Sequence, residues 1–198
     1  ALDRSQIVYR YSGVRPLPAA GDLAPGLVSR DYRIVEDTLS GGQMVLSLIG
    51  GKWTTFRALG EHLANEALRL LGHPRTVSTI GLAIGGGSNF PTTPAQRAAW
   101  VTKHQGALAS SRVEELLTRY GTVAIGIMED ISLYGDAPLV HTPRYSVGEI
   151  TALAQREHVV TLGDMIFRRT LLGFTGDISA ESVNEIASII GPILGWTK

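Results

Sequence analysis

The apolar residues change rhythm along this chain. Up to about residue 50 they fall in short runs; beyond it they recur three or four apart, the spacing of one helix face. Ile7 to Tyr11 is a β-prone run, broken by Gly13, Pro16 and Pro18. Tyr32 to Val35 predicts a second strand, and Glu36 to Gly42 a polar turn. Met44 to Ile49 is almost continuously apolar, which predicts a strand buried on both faces. Trp53, Phe56, Leu59, Leu63, Ala67 and Leu70 then mark one face of a helix over 53–71. Arg57, Glu61, Asn65, Glu66 and Arg69 take the other side, and Gly72 and Pro74 stop it.

Residues 74–94 are punctuated by glycine and proline, with one short apolar stretch from Ile80 to Ile84. The remainder reads as helices. Pro94 to His104 carries its proline in the first turn. Ser110 to Tyr120 places Val113, Leu116 and Leu117 together, and Val123 to Leu133 follows. Ser146 is a cap for a helix bearing Val147, Ile150 and Leu153. Leu162 to Leu172 predicts one further helix, and Ser179 caps the last, with Val183, Ile186, Ala187 and Ile190 on one face. The fold class expected is α+β: a small β-rich part over residues 1–90, then an all-helical domain over 91–198.

Composition narrows the chemistry. Of 198 residues, 44% are hydrophobic and 18% charged, so a core can form and disorder is not expected. The formal net charge is +0, which gives no reason to expect nucleic acid as a partner. The absence of cysteine removes disulfides, thiolate metal sites and thiol nucleophiles, and fits a reducing, cytoplasmic setting. No apolar run is long enough to span a bilayer. The first residues have no signal-peptide pattern and read as a boundary inside a longer protein.

The strongest local signal is Ile49-Gly50-Gly51-Lys52-Trp53-Thr54-Thr55. A strand ends at two glycines and a helix starts at once. Glycine lets a ligand approach the backbone, and a helix start offers unpaired N–H groups with partial positive charge. Lys52 adds a full charge, so the corner suits an anion or an electron-rich ring. A tight turn with a solvated lysine is the alternative. This is not a P-loop, because Leu46 stands where the first glycine belongs and Trp53 where Ser or Thr belongs. Gly85-Gly86-Gly87 lacks the third glycine of a dinucleotide fingerprint and reads as a structural loop. Arg15 and Arg30 could grip a phosphate with paired hydrogen bonds, or could be surface arginines paired with Asp31, Glu36 or Asp37. Arg168 and Arg169 are expected to be structural, through ion pairs or by holding helix carbonyls, and the scattered histidines show no metal-ligand spacing.

In order and spacing, Tyr11-Ser12-Gly13-Val14-Arg15-Pro16-Leu17, Ser29-Arg30-Asp31-Tyr32 and Gly50-Gly51-Lys52-Trp53-Thr54-Thr55-Phe56-Arg57 resemble the aerobic, FAD-dependent glycerol-3-phosphate dehydrogenases. Arg119-Tyr120-Gly121 and Arg168-Arg169-Thr170 are similar to that family's C-terminal helical domain. The resemblance implies oxidation of sn-glycerol 3-phosphate to dihydroxyacetone phosphate, with hydride passing to FAD and electrons to a quinone at the membrane. It implies that Arg15, Arg30 and Lys52 bind substrate, that Lys52 also sits at the reacting hydroxyl, and that Gly50, Gly51, Lys52, Trp53 and Thr54 contact FAD. Trp53 and Phe56 depart from the pattern, where leucine and tyrosine are more usual. The chain then reads as a C-terminal portion. The dinucleotide-binding half and a reacting histidine would lie upstream, so FAD is not expected on this chain alone and the chain alone is expected to be inactive. A homodimer and peripheral docking on the inner face of the cytoplasmic membrane are open under this reading. Alternatives are an amino-acid or amine oxidase-like flavoenzyme, in which Arg15 would hold a carboxylate, and a non-catalytic interaction or regulatory role for the helical domain. Severed from its other half, the first 70 residues are expected to expose Leu46, Leu48 and Trp53.

Overall fold

A computed structural model describes every residue except Ala1, Leu2, Arg15, Pro16, Pro18, Ala20, Pro25, Thr197 and Lys198. It is α+β, as the pattern predicts, and falls into two compact units: Ser12–Leu82, and Ala1–Tyr11 with Ala83–Lys198.

The Ser12–Leu82 unit contains an antiparallel pair, β1 (Arg33–Thr38) and β2 (Met44–Ile49), registered from Arg33 opposite Ile49 to Thr38 opposite Met44. The predicted polar turn from Glu36 is therefore too long. Glu36, Asp37 and Thr38 complete the ladder, and the reversal lies at Leu39 to Gln43, where the Leu39 N–H donates to the Gln43 carbonyl at 2.9 Å. β2 is also not buried on both faces. With one neighbouring strand it has no fully buried residue, and Leu48 stays 40% exposed. A 3₁₀ turn at Trp53–Thr55 leads into α1 (Phe56–Leu70), whose apolar stripe is half-buried at best. The stretch after α1 is tied back to it. Glu61 accepts from the Thr79 N–H at 2.8 Å and from its hydroxyl, and pairs with Arg75 at 2.7 Å. Those bonds, the Thr79 hydroxyl foremost, lower the Glu61 pKa to about 2.

The second unit is helical: α2 (Pro94–His104), α3 (Ser110–Tyr120), α4 (Ala124–Tyr134), α5 (Val147–Arg156), the single turn α6 (Leu162–Asp164), the short α7 (Leu172–Thr175) and α8 (Ala180–Leu194). The caps are made as the sequence specifies. Ser146 accepts from the Glu149 N–H, and Ser179 and Ser182 bond reciprocally at the start of α8. α5 is the central rod, buried from Gly148 through Ala154. On one side Ile150 and Leu153 meet Met165, Leu172, Ile186 and Ile190. On the other, Ala152 joins Val113, Leu116, Ile127 and Ile131. Gly86 and Gly121 let two 3₁₀ turns touch backbone to backbone, since a Cβ on Gly121, at φ +62°, would lie 2.3 Å from the Gly86 carbonyl oxygen. That contact gives Gly85-Gly86-Gly87 its structural reason.

Two predicted elements differ here. The helix expected over Leu162 to Leu172 is broken. After α6 a π turn runs from Met165 to Arg169, and Thr170 is extended, its hydroxyl donating to the Met165 carbonyl at 2.8 Å. Ile7 to Tyr11 forms no strand. Its tyrosines pack on aromatics of the helical unit instead, Tyr9 against Phe167 and Phe174 with centroids 5.9 and 5.1 Å apart.

Candidate functional site

In the Ser12–Leu82 unit, β2 delivers the chain to Gly50 and Gly51, at φ +82° and +106°, angles that L side chains rarely adopt. There is no room for side chains either. A Cβ on Gly50 would stand 2.7 Å from the Asp31 carbonyl oxygen, and one on Gly51 2.9 Å from Leu59. The pair thus lets the strand end turn into the helix start while residues 31–32 pass against it.

An open trough of about 940 Å³ lies over this corner. Gly50, Gly51, Lys52 and Trp53 line it together with Gly13, Val14, Phe56 and Leu59. Its lining is mostly apolar, and Trp53 stands 92% exposed at the edge. Lys52 precedes the 3₁₀ turn in extended conformation, and its carbonyl accepts from the Thr55 N–H and hydroxyl, both at 3.1 Å. No side chain caps the turn, so among the described residues the N–H groups of Trp53 and Thr54 have no protein acceptor. The Lys52 ammonium lies 3.9 Å from Asp31, with both side chains largely in solvent, so this pair restrains it only weakly.

The expected site residues are distributed as follows. Gly50, Gly51, Lys52 and Trp53 share the trough, and Thr54 follows in the turn without lining it. Arg30 is exposed, precedes the Asp31 that abuts Gly50, and has no ion-pair or hydrogen-bond partner among the described residues. It does not line the trough. Arg15 lies outside the described residues; its neighbours Gly13 and Val14 do line the trough. Among the described residues no cluster of His, Cys, Asp and Glu could hold a metal ion, and no helix is long and apolar enough to cross a membrane.

The helical unit holds a polar cluster that sequence reading missed. Glu149 is fully buried. It accepts from Arg112 at 2.7 Å, from Arg119 at 2.7 and 2.9 Å, and from the Tyr120 hydroxyl at 2.5 Å. Asp136 takes the far side of Arg112 at 3.1 Å, and Arg119 lies 4.1 Å over the Tyr145 ring. Burial opposes the charge on Arg112, but the Asp136 and Glu149 carboxylates override it and hold its pKa above the ordinary value. Burial, then the Glu149 charge, pushes the Tyr120 phenol upward. Every member has partners, so the cluster reads as structure rather than chemistry. A signal existed in Ser146-Val147-Gly148-Glu149, a capping-box spacing, but that motif predicts the glutamate folding back on its own helix rather than collecting two arginines.

Residues 77–198 match the family described as the C-terminal domain of alpha-glycerophosphate oxidase. The chain is 30% identical over 193 residues, 96% of its length, to a glycerol-3-phosphate dehydrogenase of Pseudomonas tolaasii, covering 37% of that protein. It is 25% identical over its whole length to a glycerol-3-phosphate dehydrogenase of Synechocystis, covering 36% of it. It is 30% identical over 98% of its length to a mitochondrial glycerol-3-phosphate dehydrogenase of Rattus norvegicus, covering 27% of it. The chain thus spans about a third of the length of the curated relatives it matches. With the match covering most of its residues, the chain belongs to the family of the C-terminal domain of alpha-glycerophosphate oxidase.

Proposed function

We propose that this chain supplies part of the substrate and flavin site of a quinone-linked, FAD-dependent glycerol-3-phosphate dehydrogenase. The observation that carries the reading is the corner where Gly50, Gly51 and Lys52 line a mostly apolar trough beside the Trp53 and Thr54 N–H groups, which have no protein acceptor among the described residues. Support also comes from the relatives, which carry the name glycerol-3-phosphate dehydrogenase along nearly all of this chain.

The residues present fit a flavin. A Cβ at Gly50 would collide with the Asp31 carbonyl oxygen and one at Gly51 with the Leu59 side chain, so only glycine keeps this close turn, and Phe56 and Leu59 offer apolar lining to a ring. FAD, when bound, supplies the acceptor for the hydride leaving C2 of sn-glycerol 3-phosphate. The chain's own part is binding and positioning. The Trp53 and Thr54 N–H groups would hold electron-rich flavin atoms when FAD is bound. Lys52 Nζ donates to the C2 oxygen and orients the carbon that loses hydride. Arg30, without a partner among the described residues, and Arg15 take the phosphate, whose oxygens match a guanidinium fork. The C2 hydroxyl proton leaves to water in the open trough, dihydroxyacetone phosphate is the product, and the electrons go to a quinone.

The test uses the polypeptide of the relatives' length that carries this chain. It should oxidise sn-glycerol 3-phosphate in the presence of an artificial acceptor, and free amino acids not at all. Arg30→Ala should raise KM about tenfold or more, the worth of one charge-assisted hydrogen bond. Oxidation of amino acids in preference to the phosphate ester would overturn the assignment. For the chain alone, the reading expects no stoichiometric flavin absorbance after purification, and a yellow one-to-one complex would contradict that expectation.

A further inference from the structure

A second cleft, of about 610 Å³, opens in the helical unit between α3, the turn before α5 and the π turn at Met165–Arg169. Its charged lining is unequal. Arg119, Arg144, Arg168 and Arg169 reach it, against Glu114 and Glu115. Both glutamates are already engaged: Glu114 accepts from Arg97 at 2.7 Å, and Glu115 from Arg112 at 3.1 Å and from Arg119. Arg97 and Arg112 are not part of the lining, so their pairing offsets the acids while the lining itself carries more arginines than glutamates.

The arginines differ in their freedom. Arg119 is locked on Glu149, and its second arm donates to the Arg144 carbonyl at 2.6 Å. That bond fixes the Arg144 backbone while the Arg144 guanidinium is exposed and has no partner among the described residues. Arg168 is held at one end only, by Asp164 at 2.6 Å, and its side chain is 63% exposed. Arg169 donates through Nε to the Glu157 carbonyl at 2.6 Å and through Nη1 to the Arg168 carbonyl at 3.3 Å, leaving Nη2 uncommitted. The π turn contributes these two consecutive arginines to one cleft, and such turns, rare overall, are frequent at functional sites.

We infer that this cleft is an oxyanion site, built for a phosphate group and separate from the trough over Lys52. Free guanidinium N–H groups in fixed forks are the donor set that tetrahedral phosphate oxygens fill, with two parallel bonds where a fork faces the anion. The inference does not rest on the catalytic reading, because no residue is shared between the two places.

The source of the phosphate separates into two arms. In the first, inorganic pyrophosphate is titrated into the full chain by calorimetry. In the second, the chain is sedimented with vesicles of phosphatidylglycerol or of phosphatidylcholine. Arg144→Gln and Arg168→Gln are the test variants. The first removes a charge whose side chain makes no bond among the described residues; the second removes one exposed ion pair. Circular dichroism confirms that both are folded. One-to-one pyrophosphate binding, weakened about tenfold in each variant by the loss of one charge-assisted hydrogen bond, establishes a site for a soluble phosphate. Sedimentation with phosphatidylglycerol alone, lost in the variants, establishes a headgroup site. No saturable binding in either arm overturns the inference. So does binding that both variants retain, or binding that Arg30→Gln removes and Arg144→Gln does not.

Discussion

The two units bury their apolar residues to very different degrees. In the helical unit α5 alone buries every position from Gly148 to Ala154, and Val113, Leu116, Ile150 and Ile186 are wholly inaccessible. In the Ser12–Leu82 unit, Val28 is the only buried residue among those described, and α1 buries none. The difference is not one of composition, since β2 and α1 carry as regular an apolar pattern as any helix beyond residue 94. It is one of layers. A helix face or a sheet face becomes a core only when a second layer covers it. α5 has α4 on one side and α8 on the other, whereas among the described residues β1 and β2 pair only with each other. The unit with the self-sufficient core ties its buried Glu149 to two arginines and a tyrosine, and the thinly covered unit carries the positive-φ pair Gly50 and Gly51, a loosely held lysine and an arginine with no partner among the described residues.

The largest expected effect falls in the helical unit. Glu149→Ala leaves Arg112 and Arg119 partly buried beside a missing anion and should cost about 3–5 kcal/mol in denaturant unfolding. A change under about 1 kcal/mol would mean that the cluster is not held as described. Next, Leu116→Ala should cost about 2–5 kcal/mol, because the cavity cannot collapse in a packed core. The same truncation at half-buried Leu63 in α1 should cost about 1 kcal/mol or less. Equal losses at the two sites would erase the contrast between the units.

Hydrogen exchange should show that contrast without mutation. The slowest amides should belong to α4, α5 and α8, and those of α1 and the β pair should exchange much earlier. A smaller effect concerns acid. Glu61 has a folded-state pKa of about 2, below its ordinary value. Its stabilising bonds are therefore complete above the unfolded carboxylate pKa and are lost as pH falls through that value towards 2. Glu61→Gln should flatten the acid sensitivity of the Thr79 amide signal between those limits, leaving neutral-pH spectra of the helical unit unchanged.

Much of this was legible from the chain. Pro94 to His104 and Ser110 to Tyr120 have the limits that caps and periodicity give, and Ser146 and Ser179 start helices because their hydroxyls satisfy N–H groups the helix cannot. What stayed hidden depends on partners distant in sequence. Ile7 to Tyr11 looks like a strand, but its tyrosines find rings in the helical unit and no neighbouring strand. The π turn adds a residue to one helical turn, which apolar spacing over so short a stretch does not register. At the trough, Gly50-Gly51-Lys52 was readable because backbone geometry demands glycine there, whereas the pairing of Lys52 with Asp31 depends on where residues 31–32 pass.

Under the proposed function, Lys52 orients the reacting carbon while the helical unit keeps the fold. The most direct test is steady-state kinetics of Lys52→Met in the polypeptide of the relatives' length, with melting temperature measured alongside. The account predicts kcat/KM for sn-glycerol 3-phosphate lowered about a hundredfold or more, the scale on which misplacing a reacting group costs rate, with melting unchanged. Unaltered kcat/KM in a folded, flavin-bearing Lys52→Met enzyme would contradict it.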